Sequence, residues 1–240
     1  MRRAGFLLAV MLVAGMVAPA GAETLILVTE ELAPINMAGL GDKKAGGIST
    51  EVIEMALADI KVPYTIAINS WARSYEMALR DRNTCVYSTS RTPEREELFK
   101  WVGPLVKDRW VLFGRIDGPA LSTLDDARAH TIGGHYSGAS THYLKTMGYQ
   151  VDETSDYLSN LKRVEARRLD YAVSGLLSGA YAIAHDKGLA DIVPVFAFKD
   201  IDLYLACNKS VPDRIVERLN AVIERLSADG TVASIVRRYQ

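Results

Sequence analysis

The chain has 240 residues and carries 28 Lys and Arg against 29 Asp and Glu, with four His and a formal net charge of −1. That even balance excludes the basic footprint expected of a binder of nucleic acid or anionic membrane, and the length suits one large domain or two small ones. Two cysteines, Cys85 and Cys207, either form one bridge or stand as two buried thiols.

Met1, Arg2 and Arg3 give a positive start, and residues 6–18 are an apolar run too short to span a bilayer with ease. Pro19 breaks the run, and Ala20-Gly21-Ala22 supplies the small residues that a signal peptidase reads. The pattern predicts a signal peptide over residues 1–22. Its removal leaves 218 residues, in which 26 basic side chains face 29 acidic ones for a net charge of −3. No cysteine near the cleavage point offers a site for a lipid anchor, and no later apolar run is long enough to cross a membrane, so the mature chain is expected to be soluble and free.

Residues 24–29 (TLILVT) read as a strand and are followed by an irregular stretch to Gly47. Ser49 is expected to cap a helix that turns Val52, Ile53, Ala56, Leu57 and Ile60 inward. A strand over 64–68, a helix over 71–79 and a strand over 84–89 complete a β-α-β-α-β rhythm, which favours a parallel sheet covered on both faces. A second unit begins near residue 130. It has a strand over 131–134, a helix over 140–147, a helix capped by Ser155, a strand over 170–173, a helix over 177–187 and a strand over 192–196. Strand-like runs at 110–113 and 203–206 lie where the two halves meet. An amphipathic helix with Pro212 in its first turn stops at Gly230, and a short helix over 231–238 ends the chain. The fold class is α/β, in two lobes.

Several segments occur in a telling order: ELAPINM and GGISTEVIEMAL, then STSRTPERE, FKWVGPL, LSTLDDARAHTIGGHYSGAS, RRLDYAV and finally LNAVIERLSADGTVASIVRRY. This co-linear set resembles the periplasmic solute-binding proteins of polar amino acid ABC importers, and the likeness covers nearly all of the mature chain. It implies two Rossmann-like lobes joined by a two-strand hinge, with residues 23–112 and 203–240 in the first lobe and 113–202 in the second. The resemblance also implies a monomer in the periplasm that takes a small-molecule ligand into the cleft and passes it to an ABC permease in the inner membrane. No cofactor, metal or nucleic acid is expected. By the family's topology the strand after Leu203 lies beside the one holding Cys85, which favours a Cys85–Cys207 bridge.

The same resemblance picks out ligand residues. TPER places Arg95 where an arginine pairs with a ligand carboxylate, a role suited to a planar guanidinium that keeps its proton. Ser88 and Ser90 stand ready to complete that cage. Ser137, Gly138 and Ala139, small residues where the family usually carries Gly-Thr-Thr, open a helix whose first N–H groups would face an anion. Trp71 and Arg73 fall on the cleft wall. Two departures stand out: Gly175 replaces the acid that usually holds an ammonium group, and Leu32 replaces the aromatic that usually covers the ligand. Glu30 or Glu31 would then substitute for the missing acid, or the ligand lacks an α-amino group.

Two other functions fit the same scaffold. A periplasmic sensor would use the same cleft with a different partner. A dehydratase-type enzyme would use Glu30, Glu31, His135 and Arg95 as acid and base groups. Against the enzyme, GHYSG at 134–138 lacks nucleophile-elbow spacing, His130, His135, His142 and His185 make no metal pattern, and no phosphate loop occurs.

Overall fold

The computed structural model describes residues 24–39 and 45–240; the expected signal peptide lies outside the described residues. In chain order the elements are β1 (Leu25–Thr29), β2 (Met37–Ala38), β3 (Ala45–Gly46), α1 (Ile48–Ile60), β4 (Tyr64–Ile68), α2 (Trp71–Arg80), β5 (Thr84–Ser90), α3 (Pro93–Glu96) and β6 (Lys100–Arg115). There follow β7 (Ile132–His135), α4 (Ala139–Thr146), β8 (Val151–Thr154), α5 (Tyr157–Glu165), β9 (Tyr171–Gly175), α6 (Leu176–His185), β10 (Ile192–Cys207), α7 (Asp213–Ala228) and α8 (Thr231–Arg238).

Eight strands form one sheet in the order β4-β1-β5-β10-β6-β9-β7-β8. The outer strands pair in parallel, as the βαβ rhythm requires, while β10 runs antiparallel to both β5 and β6. β6 and β10 are each 16 residues long and are shared by both halves of the molecule. The strand-like runs expected at 192–196 and 203–206 are therefore one continuous strand. The polar stretch between them stays in the ladder with β6 by shifting register near Phe196 and Lys199.

Apolar alternation on these strands feeds separate cores. Leu25, Leu27 and Leu205 pack under α1 and α7, while Val28, Val86 and Ala206 pack under α2. Farther along β6, Val111 and Phe113 face α5 and α6, and Leu112 faces α4. That is the period of 2 expected of a strand covered on both sides. Cys85 and Cys207 are direct cross-strand partners, fully buried and disulfide-bonded across a 4.0 Å Cα separation.

Two capping expectations fail for a local reason. Ser49 lies inside α1, and Gly47 is the N-cap, at φ 94°. There the loop carbonyls of Pro34 and Ile35 accept from the N–H groups of Ile48 and Ser49 at 3.0 and 2.9 Å, so the helix start needs no side-chain cap. In α5 the cap is Asp156, not Ser155, and its carboxylate accepts from the Leu158 N–H at 3.0 Å.

Candidate functional site

Between the paired cores lies a cavity of about 100 Å³. One side is formed by Glu30, Trp71, Ser88, Ser90 and Arg95, the other by His135, Gly138, Ala139, Tyr157 and Ser178, with Asp108, Trp110 and Gly175 beside the crossing strands. A groove of about 770 Å³ shares Trp71, Arg95, Trp110 and Ala139 with it.

Arg95 projects from α3 and lies over two aromatic rings, its Cζ 5.0 Å from the centroid of Tyr75 and 5.5 Å from that of Trp71. One Nη donates to the Ser90 carbonyl at 3.3 Å and the other reaches the Ser137 carbonyl at 3.5 Å, at the outer limit of a hydrogen bond. Among the described residues no ion pair within 4.0 Å engages it. Burial lowers its pKa from the ordinary value, but an arginine has a wide margin and stays charged. The result is a cation held flat against apolar rings, with weak partners on its open edge.

Trp71 is buried at the start of α2, and its Nε1 donates to the same Ser137 carbonyl at 3.1 Å. Ser137 therefore differs from expectation. It adopts a left-handed φ of 59° and turns its carbonyl toward Trp71 and Arg95, and it borders the groove rather than the small cavity. The helix start begins one residue later. Gly138 is the N-cap of α4 without a side-chain cap, and it lines the cavity together with Ala139. Arg73 is a correction: it is exposed and borders neither space. Two positions past the inward-facing Trp71, it sits about 200° around the helix, on the solvent side.

Ser88 is the extra residue of a β-bulge. Thr89 pairs with Tyr204 and Tyr87 with Leu205, leaving Ser88 without a partner at φ 61°. Its hydroxyl donates to the buried Asn36 side chain at 2.5 Å, so it offers lone pairs, rather than a proton, to the cleft. Ser90 also lines the cavity, at the end of β5.

Glu30 follows β1, and its carboxylate stands 3.6 Å from His135 Nε2. Burial pushes the Glu30 carboxyl up to about 8, against the pull of the Arg95 charge. His135 Nε2 is 3.1 Å from the Ser155 carbonyl, which can only accept, so that nitrogen carries the proton. Burial pulls the His135 pKa down, which favours the neutral ring. Glu31 is turned away and accepts from the Ala38 N–H at 2.6 Å.

Leu32 lines the cavity, but Trp110 and Tyr157 supply aromatic surface that the sequence did not point to. Gly175 adjoins a further residue missed there, Asp108: a Cβ at 175 would collide with the Asp108 carboxylate. The one signal for it was a charged Lys-Asp-Arg interrupting the otherwise apolar crossing run at 105–113.

The family described as "Bacterial extracellular solute-binding proteins, family 3" matches residues 25–240. No curated protein matches the chain by sequence. Among solved structures, a histidine kinase sensor domain with similarity to periplasmic binding proteins superposes with a TM-score of 0.82 at 19% identity, over 90% of this chain and 95% of that one. An amino acid ABC transporter substrate-binding protein, AbpA from Streptococcus pneumoniae, bound to L-arginine, gives 0.79 at 13% identity over 90% and 94%. The periplasmic VFT2 domain of BvgS from Bordetella pertussis gives 0.77 at 18% identity over 90% and 93%. At these identities the likeness establishes the fold, which is that of periplasmic binding proteins.

Proposed function

The chain belongs to the bacterial extracellular solute-binding proteins, family 3, and we propose that it is the periplasmic substrate-binding component of an ABC importer, capturing a small carboxylate-bearing solute by cleft closure. The observation that carries this reading is Arg95, a charged guanidinium stacked on Trp71 and Tyr75 at the cavity wall, with only two long hydrogen bonds to carbonyls on its open edge among the described residues. A carboxylate offers that fork a bidentate, charge-assisted partner in place of the weak ones. The helix start at Gly138 and Ala139 adds a positive end to the same cavity.

In this reading residues 23–112 with 203–240 form one lobe and 113–202 the other, hinged on β6 and β10. The hydrogen bonds from Trp71 and Arg95 to the Ser137 carbonyl cross between them, as does the one from the Tyr157 hydroxyl to the Ala33 carbonyl at 3.4 Å. Such contacts form only with the cleft closed, so a ligand that bridges the walls shifts the population toward this form. A permease that recognises the closed form then receives loaded protein, and the binding protein itself acts as a monomer. Release into the periplasm rests on the signal-peptide pattern of residues 1–22. The sensor-domain likenesses support a second reading, in which the closed form is read by a receptor; a permease gene beside this one would separate the two.

A thermal-shift screen over amino acids, dicarboxylates, amines and small aromatic acids, followed by calorimetry, tests the reading. Arg95→Ala is expected to cost about 2–5 kcal/mol of affinity for the ligand found. An unchanged affinity would remove the carboxylate role.

A further inference from the structure

We propose that Asp108 and Ser178 form a subsite for a protonated amine, so that the ligand carries an ammonium group as well as the carboxylate held by Arg95. This rests on the carboxylate reading above and adds to it the second charge of the ligand.

Asp108 lies on β6 just before the residues that pair with β9. Its Oδ1 accepts from the Leu177 N–H at 3.1 Å, which pins the carboxylate against the start of α6. A helix cap needs no more than that. The other oxygen lies over Gly175, at a place where any Cβ would collide with it, so the absent side chain is what leaves room for the carboxylate at the cavity wall. Asp108 has no ion-pair partner among the described residues, and the neighbouring Arg109 is engaged by Asp200 at 2.8 Å. Burial lifts its carboxyl to about 6, against the pull of the Arg109, Leu177 and Leu176 backbone N–H groups and of the Arg109 charge.

Ser178 supplies the independent observation. It lies one turn beyond Gly175, in α6, and lines the same cavity. Its hydroxyl is fully buried, yet no hydrogen-bond partner reaches it among the described residues. Buried polar groups are rarely left so, and a ligand is a common explanation. An ammonium group brings three donors. Asp108 and Ser178 provide acceptors for it, and Ser88, whose proton is spent on Asn36, adds lone pairs at the same cavity. The other titratable groups facing the space are Glu30, His135 and Tyr157, none of them a fixed positive charge. Arg95 therefore shares a small space with the Asp108 carboxyl, a charge pattern that fits a zwitterion better than a simple anion.

The test uses as probes the proteinogenic L-amino acids, 4-aminobutyrate, and the desamino counterpart of each, with thermal shift followed by calorimetry on the wild type, Asp108→Asn, Ser178→Ala and Arg95→Ala. At least one amino-bearing probe should bind the wild type well above its desamino counterpart. Asp108→Asn should weaken that probe by at least about 30-fold while leaving the desamino acid within a few-fold of its wild-type affinity. Ser178→Ala should narrow the amino-to-desamino ratio in the same direction, and carries the test alone if Asp108→Asn does not fold. Arg95→Ala should weaken both probe classes together. If desamino acids bind as tightly as amino acids, or the ratio is unchanged in the variants, the ammonium subsite is overturned and the carboxylate reading stands. If Asp108→Asn acts as expected but Arg95→Ala does not, the carboxylate reading fails instead. If no probe of either class binds, both are overturned.

Discussion

The two halves of the sheet are held together differently. In the half containing β1, β4 and β5, one large core under α1 and α7 backs the strands, a second packs under α2, and the Cys85–Cys207 bridge ties β5 to the returning β10. In the half containing β7, β8 and β9, both cores are smaller than the one under α1 and α7, and no disulfide joins the described residues. There, helices gain contact by close approach, with α6 resting Gly179 directly on the Phe113 ring. The cleft inherits this difference. Its first wall presents a charged side chain fixed on aromatic rings, while its second wall presents helix starts and small residues laid close against the sheet. In the proposed reading, the fixed wall sets where a ligand carboxylate goes, and the wall of small residues lets the other side close over it.

The largest test of this contrast removes the bridge. Cys85 and Cys207 are 122 residues apart in sequence, and the chain-entropy relation for a loop of that length gives about 5 kcal/mol of stabilisation. Replacing both with Ser should lower the unfolding free energy by about that amount in denaturant titrations. A loss below about 1 kcal/mol would mean that packing alone holds the first half, and the contrast would rest on core size only.

Titration of Glu30 is expected to have the next largest effect. Its carboxyl is raised in the folded protein from 4.5 to about 8, so the folded state holds this proton more tightly than the unfolded chain does. The resulting stability is complete below about pH 4.5 and is lost as pH rises toward 8. The loss should reach a few kcal/mol, since every tenfold difference in proton affinity between the folded and unfolded chain is worth about 1.4 kcal/mol. Asp108 is raised in the same way, to about 6, and contributes to the early part of the fall. Glu30→Gln should therefore be more stable than the wild type at pH 8 and little different at pH 4.5, as measured by thermal unfolding of the ligand-free protein. Parallel profiles for the two proteins would place the buried proton elsewhere in the cleft.

Much of the first wall was legible in the sequence, because it is local. TPER and the serines just before it lie within eight residues, and the strand that carries them was readable from its composition. The family's strand order also brought Cys85 and Cys207 together before any coordinate did. The second wall was not legible in that way. Asp108, Gly175 and Ser178 meet only because Trp110 pairs with Gly175 across an antiparallel register, which sets Asp108 beside the first turn of α6. Residue types give no clue to that register. The error at Arg73 is of another kind: once Trp71 faces inward, helix periodicity alone puts residue 73 outward. Ser49 was misread because loop carbonyls, supplied from Pro34 and Ile35, took over the work of a cap.

The smallest effect probes the close packing of the second half directly. A Cβ on Gly179 would meet three atoms of the Phe113 ring, which is itself fully buried between α6 and the sheet. The ring belongs to β6, the strand that both halves share, so it cannot withdraw without disturbing the ladder to β9 and β10. The strain must then be relieved by lifting α6. Gly179→Ala should cost about 1–3 kcal/mol, the usual penalty of overpacking, even though alanine is the better helix former. Because Leu177 and Ser178 ride on the same helix, the lift should also loosen the grip of α6 on Asp108, and the affinity for an amino-bearing probe should fall more than that for its desamino counterpart. A variant as stable as the wild type would show that the second half has slack at this close contact, and the difference between the two halves would then lie in the bridge rather than in the packing.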